Sequence, residues 1–324
     1  MALVTGVVAF STPGVSQTYP AGATNPVDTE YSNVPSPFED SARRRQIGYG
    51  RLFTNDLIGD GKDRWRSGSI TASHAYGYHW SGAAPSQFGE LLELRLQGEI
   101  LTPENLKRVN PSDRPWAGAL SLGLHTHAQI GGFEYAVGAD LVVLGPQTQL
   151  DHLQDALHGL VGAPQPSDAV LGAQIGDKIR PTVVAEVART YGLGGSVDLR
   201  PFAELRAGDE TLARIGADFT FGQIGRGELL SRESVTGQRY RVIQNAPPGT
   251  SFTLGGDIAH VTESVYLPED RGYSLENARG RVRAGIHWQG ESASAFYGLT
   301  YLGKEFSGQR ESQLTGSVRI KLSF

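Results

Sequence analysis

The sequence predicts an antiparallel transmembrane β-barrel of about twelve strands, with a short external helix in the loop after strand 5. Most of the chain from about Ile47 onward alternates apolar and polar side chains, which is the period of a β-strand. The predicted strands are long, and their polar faces carry charges of both signs, as a lumen filled with side chains would. No run of eighteen apolar residues occurs, so the sequence contains no transmembrane helix.

Two architectures explain such clean alternation. A soluble sandwich buries its apolar face, whereas a membrane barrel turns that face toward lipid. The segment Leu92–Ile100 alternates leucines and isoleucine with charged residues, and the last strand places Val318, Ile320, Leu322 and Phe324 on one face. An aromatic residue at the end of an amphipathic strand resembles the terminal signal of bacterial outer-membrane barrels. The length of the strands, their charged faces and this ending favour the barrel.

The strand count is even, as single-chain bacterial barrels require. Both termini then lie at the periplasmic end, and the loops after odd-numbered strands open outward. The segment 223–249 is too long for a periplasmic turn, so it is either a real insertion or a sign of a wrong count. The predicted strands are 47–57, 66–80, 89–101, 114–128, 132–144, 178–191, 196–207, 211–222, 250–265, 278–289, 292–303 and 314–324.

The composition limits the domain organisation and the classes of partner. Residues 1–45 are rich in Ser, Thr, Pro, Gly and Asn, and we expect a poorly ordered extension that starts as a mature chain or as the remnant of a signal peptide. Residues 46–324 form the predicted barrel. The net charge of −5 argues against nucleic acid as a partner, and the absence of Cys excludes disulfides and thiolate metal sites.

The segment 145–160 has the period of a helix in a chain of strands. Four leucines recur at i, i+3, i+7 and i+10, and a polar stripe runs beside them. A short helix that places a histidine one turn after a glutamine suggests a functional site. The leucines are Leu150, Leu153, Leu157 and Leu160, and the polar residues are Asp151, Gln154 and His158.

Several motifs within residues 47–190 occur in a fixed order, at the ends of predicted strands that open on one rim. Together with the helix they resemble the lipid A 3′-O-deacylase family of outer-membrane enzymes. The motifs are Thr54-Asn55-Asp56, Asp63-Arg64 with Ser67-Gly68, Leu101-Thr102-Pro103, Asp113-Arg114-Pro115-Trp116-Ala117-Gly118, Leu144-Gly145-Pro146 and Gln154-x-x-x-His158.

The resemblance implies a twelve-stranded barrel in the bacterial outer membrane, with a calcium-dependent esterase site between its wall and an external helix. Such an enzyme removes a 3′-linked acyl or acyloxyacyl group from lipid A, so the implied partners are lipopolysaccharide and the lipids of the outer leaflet. We expect a monomer whose active site faces that leaflet.

The residue chemistry agrees with these roles. His158 can act as a general base, because a histidine with a pKa of about 6.5 suits proton transfer near neutrality. Gln154 can orient substrate or water. Asp56 and the amide oxygen of Asn55 are hard oxygen ligands of the kind that Ca²⁺ prefers. The resemblance implies these roles for Asn55, Asp56, Gln154 and His158.

The resemblance also implies a hydroxyl residue at the start of strand 2, which we match to Ser67. Ser67 is not assigned as the nucleophile, because no second histidine lies near it in the sequence. A basic residue is expected in the loop after strand 3, where Lys107 or Arg108 would bind a phosphate of lipid A.

Two other functions stay open at this point. An outer-membrane phospholipase would use similar chemistry, but it typically has a Ser–His pair on the barrel wall, which the sequence does not reveal. A structural or pore-forming barrel would have no catalytic residues. Among the remaining motif residues, we expect a buried ion pair between Asp113 and Arg114, with Trp116 in the interfacial belt, and we expect His125 and His127 to fill the lumen.

Overall fold

The computed structural model describes residues 43–322, and the expectations for residues 1–42 and for Phe324 lie outside this range. Its helices are a 3₁₀ turn at Pro146–Thr148, α1 at Leu150–Val161, α2 at Asp168–Gly172 and a 3₁₀ turn at Glu269–Arg271. Its strands are β1 Arg45–Asn55, β2 Trp65–Gly77, β3 Leu92–Thr102, β4 Ala117–Ile130, β5 Phe133–Leu144, β6 Lys178–Ala188, β7 Tyr191–Gly194, β8 Val197–Ala207, β9 Glu210–Phe221, β10 Leu229–Arg232, β11 Arg239–Ile243, β12 Gly249–Ser264, β13 Ala278–Gln289, β14 Ala293–Leu302 and β15 Gln313–Leu322.

Twelve long strands form one closed antiparallel barrel. Each strand pairs with its neighbours in the chain, and the pairing of β1 with β15 closes the barrel. Between β6 and β8, the short strand β7 pairs only with the start of β8, so it adds a strand to the sheet without adding a position around the barrel. The predicted twelve-stranded barrel, with a helix in the loop after β5, is confirmed.

The barrel turns its apolar face outward. Ile70, Leu96 and Leu122 are about half exposed on β2, β3 and β4, whereas inward-facing polar residues such as Thr71 and Glu93 are buried. Outward apolar residues and inward polar residues are the arrangement of a membrane barrel and not of a sandwich. None of the helices among residues 43–322 is long and apolar enough to cross a bilayer.

The segment 223–249 folds back into the lumen as a β-hairpin formed by β10 and β11. The Tyr240 hydroxyl lies 2.6 Å from Ser73 Oγ of β2, and Ser231 Oγ donates to Glu93 of β3 at 2.8 Å. A Cβ atom on Gly50 would lie 2.5 Å from the carbonyl oxygen of Arg241, so the absence of a side chain lets β11 pack on β1. The insertion is therefore real and the strand count is correct.

The polar lumen is held together by ion pairs and hydrogen bonds. His125 Nε2 lies 2.8 Å from Asp140, and His127 Nε2 lies 2.6 Å from Glu93. Both histidines thus contact separate carboxylates inside the barrel, as expected for residues that fill the lumen.

The expected ion pair between Asp113 and Arg114 is wrong. Arg114 Nη1 binds Glu305 at 2.6 Å, while the Asp113 carboxylate accepts from the backbone amides of Glu104 and Arg114 at 2.6 and 2.8 Å. The expected position of Trp116 in the interfacial belt is also wrong, because this side chain is buried. Asp113 lies in the loop after β3, whose backbone amides need acceptors, and this local need determines its partners.

Candidate functional site

The loops after β1, β3 and β5 meet at one end of the barrel, which we call the loop rim (residues 56–64, 103–116 and 145–177). Just below it, one row of directly paired residues crosses the outer face of four adjacent strands: Asn55 pairs with Gly68, Gly68 with Ile100, and Ile100 with Gly118. The next outward row, two residues below, is Phe53, Ile70, Gly98 and Leu120. The upper row therefore lies at the edge of the apolar band that faces lipid.

Helix α1 packs against this row from outside the barrel. Leu150 of α1 and Val170 of α2 form an apolar cluster with Trp116. A Cβ atom on Gly118 would lie 2.8 Å from Thr148 Oγ1 and 3.0 Å from Leu150 Cβ, so glycine is required for the close approach. Of the leucine stripe, Leu150 is buried and Leu153 is half exposed, while the side chains of Leu157 and Leu160 lie outside the described part.

Gln154 is fixed on the inner side of α1 by a hydrogen bond from the barrel. The indole Nε1 of Trp116 donates to Gln154 Oε1 at 2.7 Å, and the glutamine is only 3 % exposed. Its Nε2 is buried and has no hydrogen-bond partner among the described residues. Because an unsatisfied buried donor is costly, this N–H group is available to an acceptor that enters the site.

His158 lies one turn after Gln154, and both of its ring nitrogens have defined neighbours. Its Nδ1 lies 2.7 Å from the carbonyl oxygen of Pro164, which can only accept, so Nδ1 carries the hydrogen and Nε2 is the basic atom. Gly162 ends the helix with a φ of 70°, a left-handed conformation that favours glycine. This reversal of the chain brings Pro164 back to His158.

Asp63 connects His158 to Ser67. Its Oδ2 lies 3.2 Å from His158 Nε2, and its Oδ1 accepts a hydrogen bond from the Ser67 hydroxyl. Ser67 lies at a break in the pairing of β2 with β3, between Arg66 and Gly68, and it is buried. The structure thus brings Ser67 and His158 to one carboxylate. Asp63 belongs to a motif noted in the sequence, but its role was missed.

Asp56 lies beside this group, because its backbone amide donates to the Ser67 carbonyl oxygen at 3.1 Å. Its side chain is 0 % exposed; Oδ2 accepts from the Arg64 amide at 2.7 Å, and Oδ1 has no partner among the described residues. Burial raises the pKa of Asp56 to about 8, and the negative charges of Asp63 and Asp60 contribute to the rise.

These carboxylates fit a hard cation in part. Asp56 Oδ1 is an orphaned buried oxygen, and a nearby positive charge would relieve its repulsion from Asp63. Within residues 43–322, however, no three acidic, histidine or cysteine side chains form a group that could hold a metal ion. A calcium ion at Asp56 would therefore need backbone carbonyl or water oxygens as further ligands.

The remaining predicted residues have other surroundings. The Asn55 side-chain oxygen accepts from the Leu57 amide at 2.8 Å, so it caps the turn that follows β1. Lys107 and Arg108 are exposed, and neither side chain makes an ion pair or a hydrogen bond within residues 43–322. Their loop is tied to the start of α2 by a hydrogen bond from the Ser167 amide to Leu106, at 2.8 Å.

A family model described as outer membrane protein LpxR matches residues 39–324. The chain belongs to the LpxR family. This is the lipid A deacylase family that the motifs resemble, and it places the protein in the bacterial outer membrane. No curated protein sequence matches the chain.

Comparison with a solved structure supports the fold. LpxR from Salmonella typhimurium superposes with a TM-score of 0.70 at 16 % identity, covering 86 % of this chain and 100 % of that one. The β-domain of the Bordetella autotransporter BrkA gives 0.40 at 11 % identity, over 86 % and 98 % of the two chains. The NanC porin gives 0.39 at 6 % identity, over 86 % and 100 %.

The close contact at Gly118 predicts the effect of one added methyl group. Gly118→Ala should loosen α1 from the wall, because overpacking costs about 1–3 kcal/mol. Amide hydrogen exchange of residues 150–161, measured by mass spectrometry, should become about tenfold faster or more. Gly98→Ala is the matched control, since a Cβ atom there meets its nearest neighbour, Leu120, at 3.4 Å. Equal exchange of α1 in both variants would contradict the proposed packing.

Proposed function

We propose that this chain is a calcium-dependent ester hydrolase that removes a 3′-linked acyl or acyloxyacyl group from lipid A in the outer leaflet. Its membership of the LpxR family supports the reaction class and the substrate. The observation that carries the proposal is the orientation of His158: its Nδ1 is engaged by Pro164, so its basic Nε2 faces Asp63 and Ser67 at the edge of the apolar band. A lipid substrate in the bilayer reaches such a site from the side.

In this mechanism His158 Nε2 removes a proton from a water molecule, whose oxygen attacks the acyl carbon. The C–O bond to the sugar then breaks, and His158 returns the proton to the leaving alcohol. The hydrogen bond from Nδ1 to Pro164 keeps a hydrogen on Nδ1 in both the neutral and the protonated ring. Asp63, 3.2 Å from Nε2, stabilises the imidazolium that forms after the first proton transfer.

Gln154 and Ser67 position the substrate. The unpartnered Nε2 of Gln154 donates to an oxygen of the ester or to the attacking water. Ser67 donates its own hydrogen to Asp63, so its oxygen accepts from the substrate or from water. Calcium bound at Asp56 would polarise the ester carbonyl and stabilise the oxyanion.

The substrate-binding loop carries the charge that lipid A requires. Lys107 and Arg108 are exposed at the loop rim, where their cations can bind a phosphate of the lipid A headgroup.

Two contacts bear on the alternatives. In the phospholipase reading, a serine would donate to a histidine, but here Ser67 and His158 both contact Asp63. In the pore reading, the lumen would be open, but the β10–β11 hairpin and its hydrogen bonds to β2 and β3 occupy it.

The assignment of His158 leads to a direct test. His158→Ala should lower the rate of acyl release from purified lipid A about 100-fold or more, because it removes the general base. Products are identified by mass spectrometry, with phospholipid as the comparison substrate and heat-modifiable migration as the check of folding. His152→Ala is the control, since His152 is an exposed histidine on the same helix. Undiminished release by the His158 variant would remove this residue from the role of base.

Asp63 should affect turnover more than substrate binding. Asp63→Asn keeps the shape of the side chain but removes the charge that stabilises the imidazolium, so we expect kcat to fall about tenfold or more with KM nearly unchanged. Asp60→Asn is the matched control, because Asp60 pairs with Arg64 at 3.2 Å in the same loop. If both variants keep the wild-type kcat, Asp63 has no role in positioning His158.

Calcium should bind at Asp56. Asp56→Asn should abolish the heat of calcium binding in isothermal titration calorimetry and the calcium-dependent rise in melting temperature, because it removes a charged oxygen ligand. Glu104→Gln, a change at an exposed carboxylate in the loop after β3, should leave both unchanged. Acyl release that continues in the presence of a chelator would overturn the calcium dependence.

A further inference from the structure

A polar cavity lies inside the barrel, at the end opposite the loop rim. Its volume is about 330 Å³. Trp80 and Gly82, in the connection between β2 and β3, and Arg226, in the segment before β10, form its mouth. By the parity of the strands this mouth faces the periplasm, so a soluble molecule reaches the cavity without crossing the bilayer.

The wall of the cavity is part of a continuous chain of ion pairs. Arg200 binds Glu134 and Glu186 at 2.7 and 2.8 Å, and Arg232 binds Glu186 and Asp218 at 2.6 and 2.9 Å. The chain continues through three more arginines and two more carboxylates. Five arginines thus meet five carboxylates: Arg200, Arg214, Arg232, Arg281 and Arg283 with Glu134, Glu186, Glu204, Asp218 and Asp257.

Arg239 is an additional cation beside this balanced chain. It lies directly opposite Arg232 in the β10–β11 hairpin and lines the cavity. Within residues 43–322, the Arg239 guanidinium forms neither an ion pair nor a hydrogen bond. The carboxylates that line the same cavity already have partners: Asp198 binds Arg226 at 2.8 Å, and Glu228 binds Arg241.

A second donor points to the same ligand chemistry. Arg200 is only 8 % exposed, and its Nη1 is buried without a hydrogen-bond partner among the described residues. The Nε and Nη2 atoms of Arg200 donate to Glu134 and Glu186, so Nη1 is the nitrogen of this guanidinium that has no partner. An orphaned buried N–H beside an unpaired guanidinium is a costly arrangement unless an acceptor occupies the cavity.

We propose that this cavity binds a compact oxyanion of the phosphate class, held by the fork of Arg239 and by Nη1 of Arg200. A planar guanidinium offers paired N–H groups that match the oxygens of a phosphate, and a negative charge would neutralise the additional cation. The ligand is either inorganic phosphate or a small phosphomonoester. The site is separate from the proposed lipid A site, because the two lie at opposite ends of the barrel.

The test uses the full-length barrel in detergent and isothermal titration calorimetry, with inorganic phosphate and sn-glycerol 3-phosphate as probes. The wild-type protein should bind at least one of them, and the tighter of the two identifies the source of the ligand. Arg239→Gln should weaken binding about tenfold or more, whereas Arg239→Lys, which keeps the charge, should restore part of it. Arg310→Gln is the control, because its side chain is 75 % exposed in the loop after β14.

Thermal denaturation separates a binding role from a structural one. Without phosphate, Arg239→Gln should be at least as stable as the wild type, since it removes an unpaired cation. With phosphate, only the wild type and the control should gain stability. The proposal is overturned if the wild type binds neither probe, or if Arg239→Gln binds both as tightly as the wild type does.

Discussion

The proposed site depends on the contact between α1 and the outer wall of the barrel. A helix of twelve residues is marginally stable alone, so its position comes from packing. Gly118 allows the close approach, and the indole of Trp116 donates to Gln154 at 2.7 Å. This hydrogen bond fixes the rotation of the helix about its axis, and His158, one turn later, is thereby directed toward Asp63. Without this contact, the polar stripe of α1 has no fixed relation to β1 and β2.

The wall can support the helix because the barrel behind it is filled. Charged side chains in a lumen are stable only with partners, and here arginines and carboxylates alternate in connected ion pairs. The β10–β11 hairpin adds Arg232 to this network and packs the ring of Tyr240 against Leu52 of β1. Arg232 also lies over the ring of Phe202, with its guanidinium carbon 3.6 Å from the ring centroid. A rigid interior keeps the strands that carry the site in register.

Alternation and helical period were enough to predict the twelve strands, their order and the helix after β5. They did not predict the hairpin in 223–249, because short strands that pack inside a barrel have no lipid-facing side and hence no alternation of their own. The role of Asp63 depends on the irregular pairing at Ser67, and the period-two pattern does not show such an irregularity. The sequence did not show that Trp116 is buried, because α1, which packs over this side chain, is distant in sequence. The predicted roles of Lys107 as a phosphate ligand and of Asp56 as a metal ligand stay proposals.

The charges at the rim support the proposed cation. Arg64 lies close to Asp56 through its backbone amide, but its guanidinium binds Glu311 at 2.5 Å and Asp60 at 3.2 Å. Among the described residues, the Asp56 carboxylate accepts only from neutral donors, the Arg64 backbone amide at 2.7 Å and Gln313 Nε2 at 3.3 Å. Two carboxylates, Asp56 and Asp63, are therefore close enough to repel each other while the available arginine is engaged elsewhere. We therefore propose that the charge that stabilises this pair comes from outside the polypeptide, and a divalent ion with oxygen ligands would supply it.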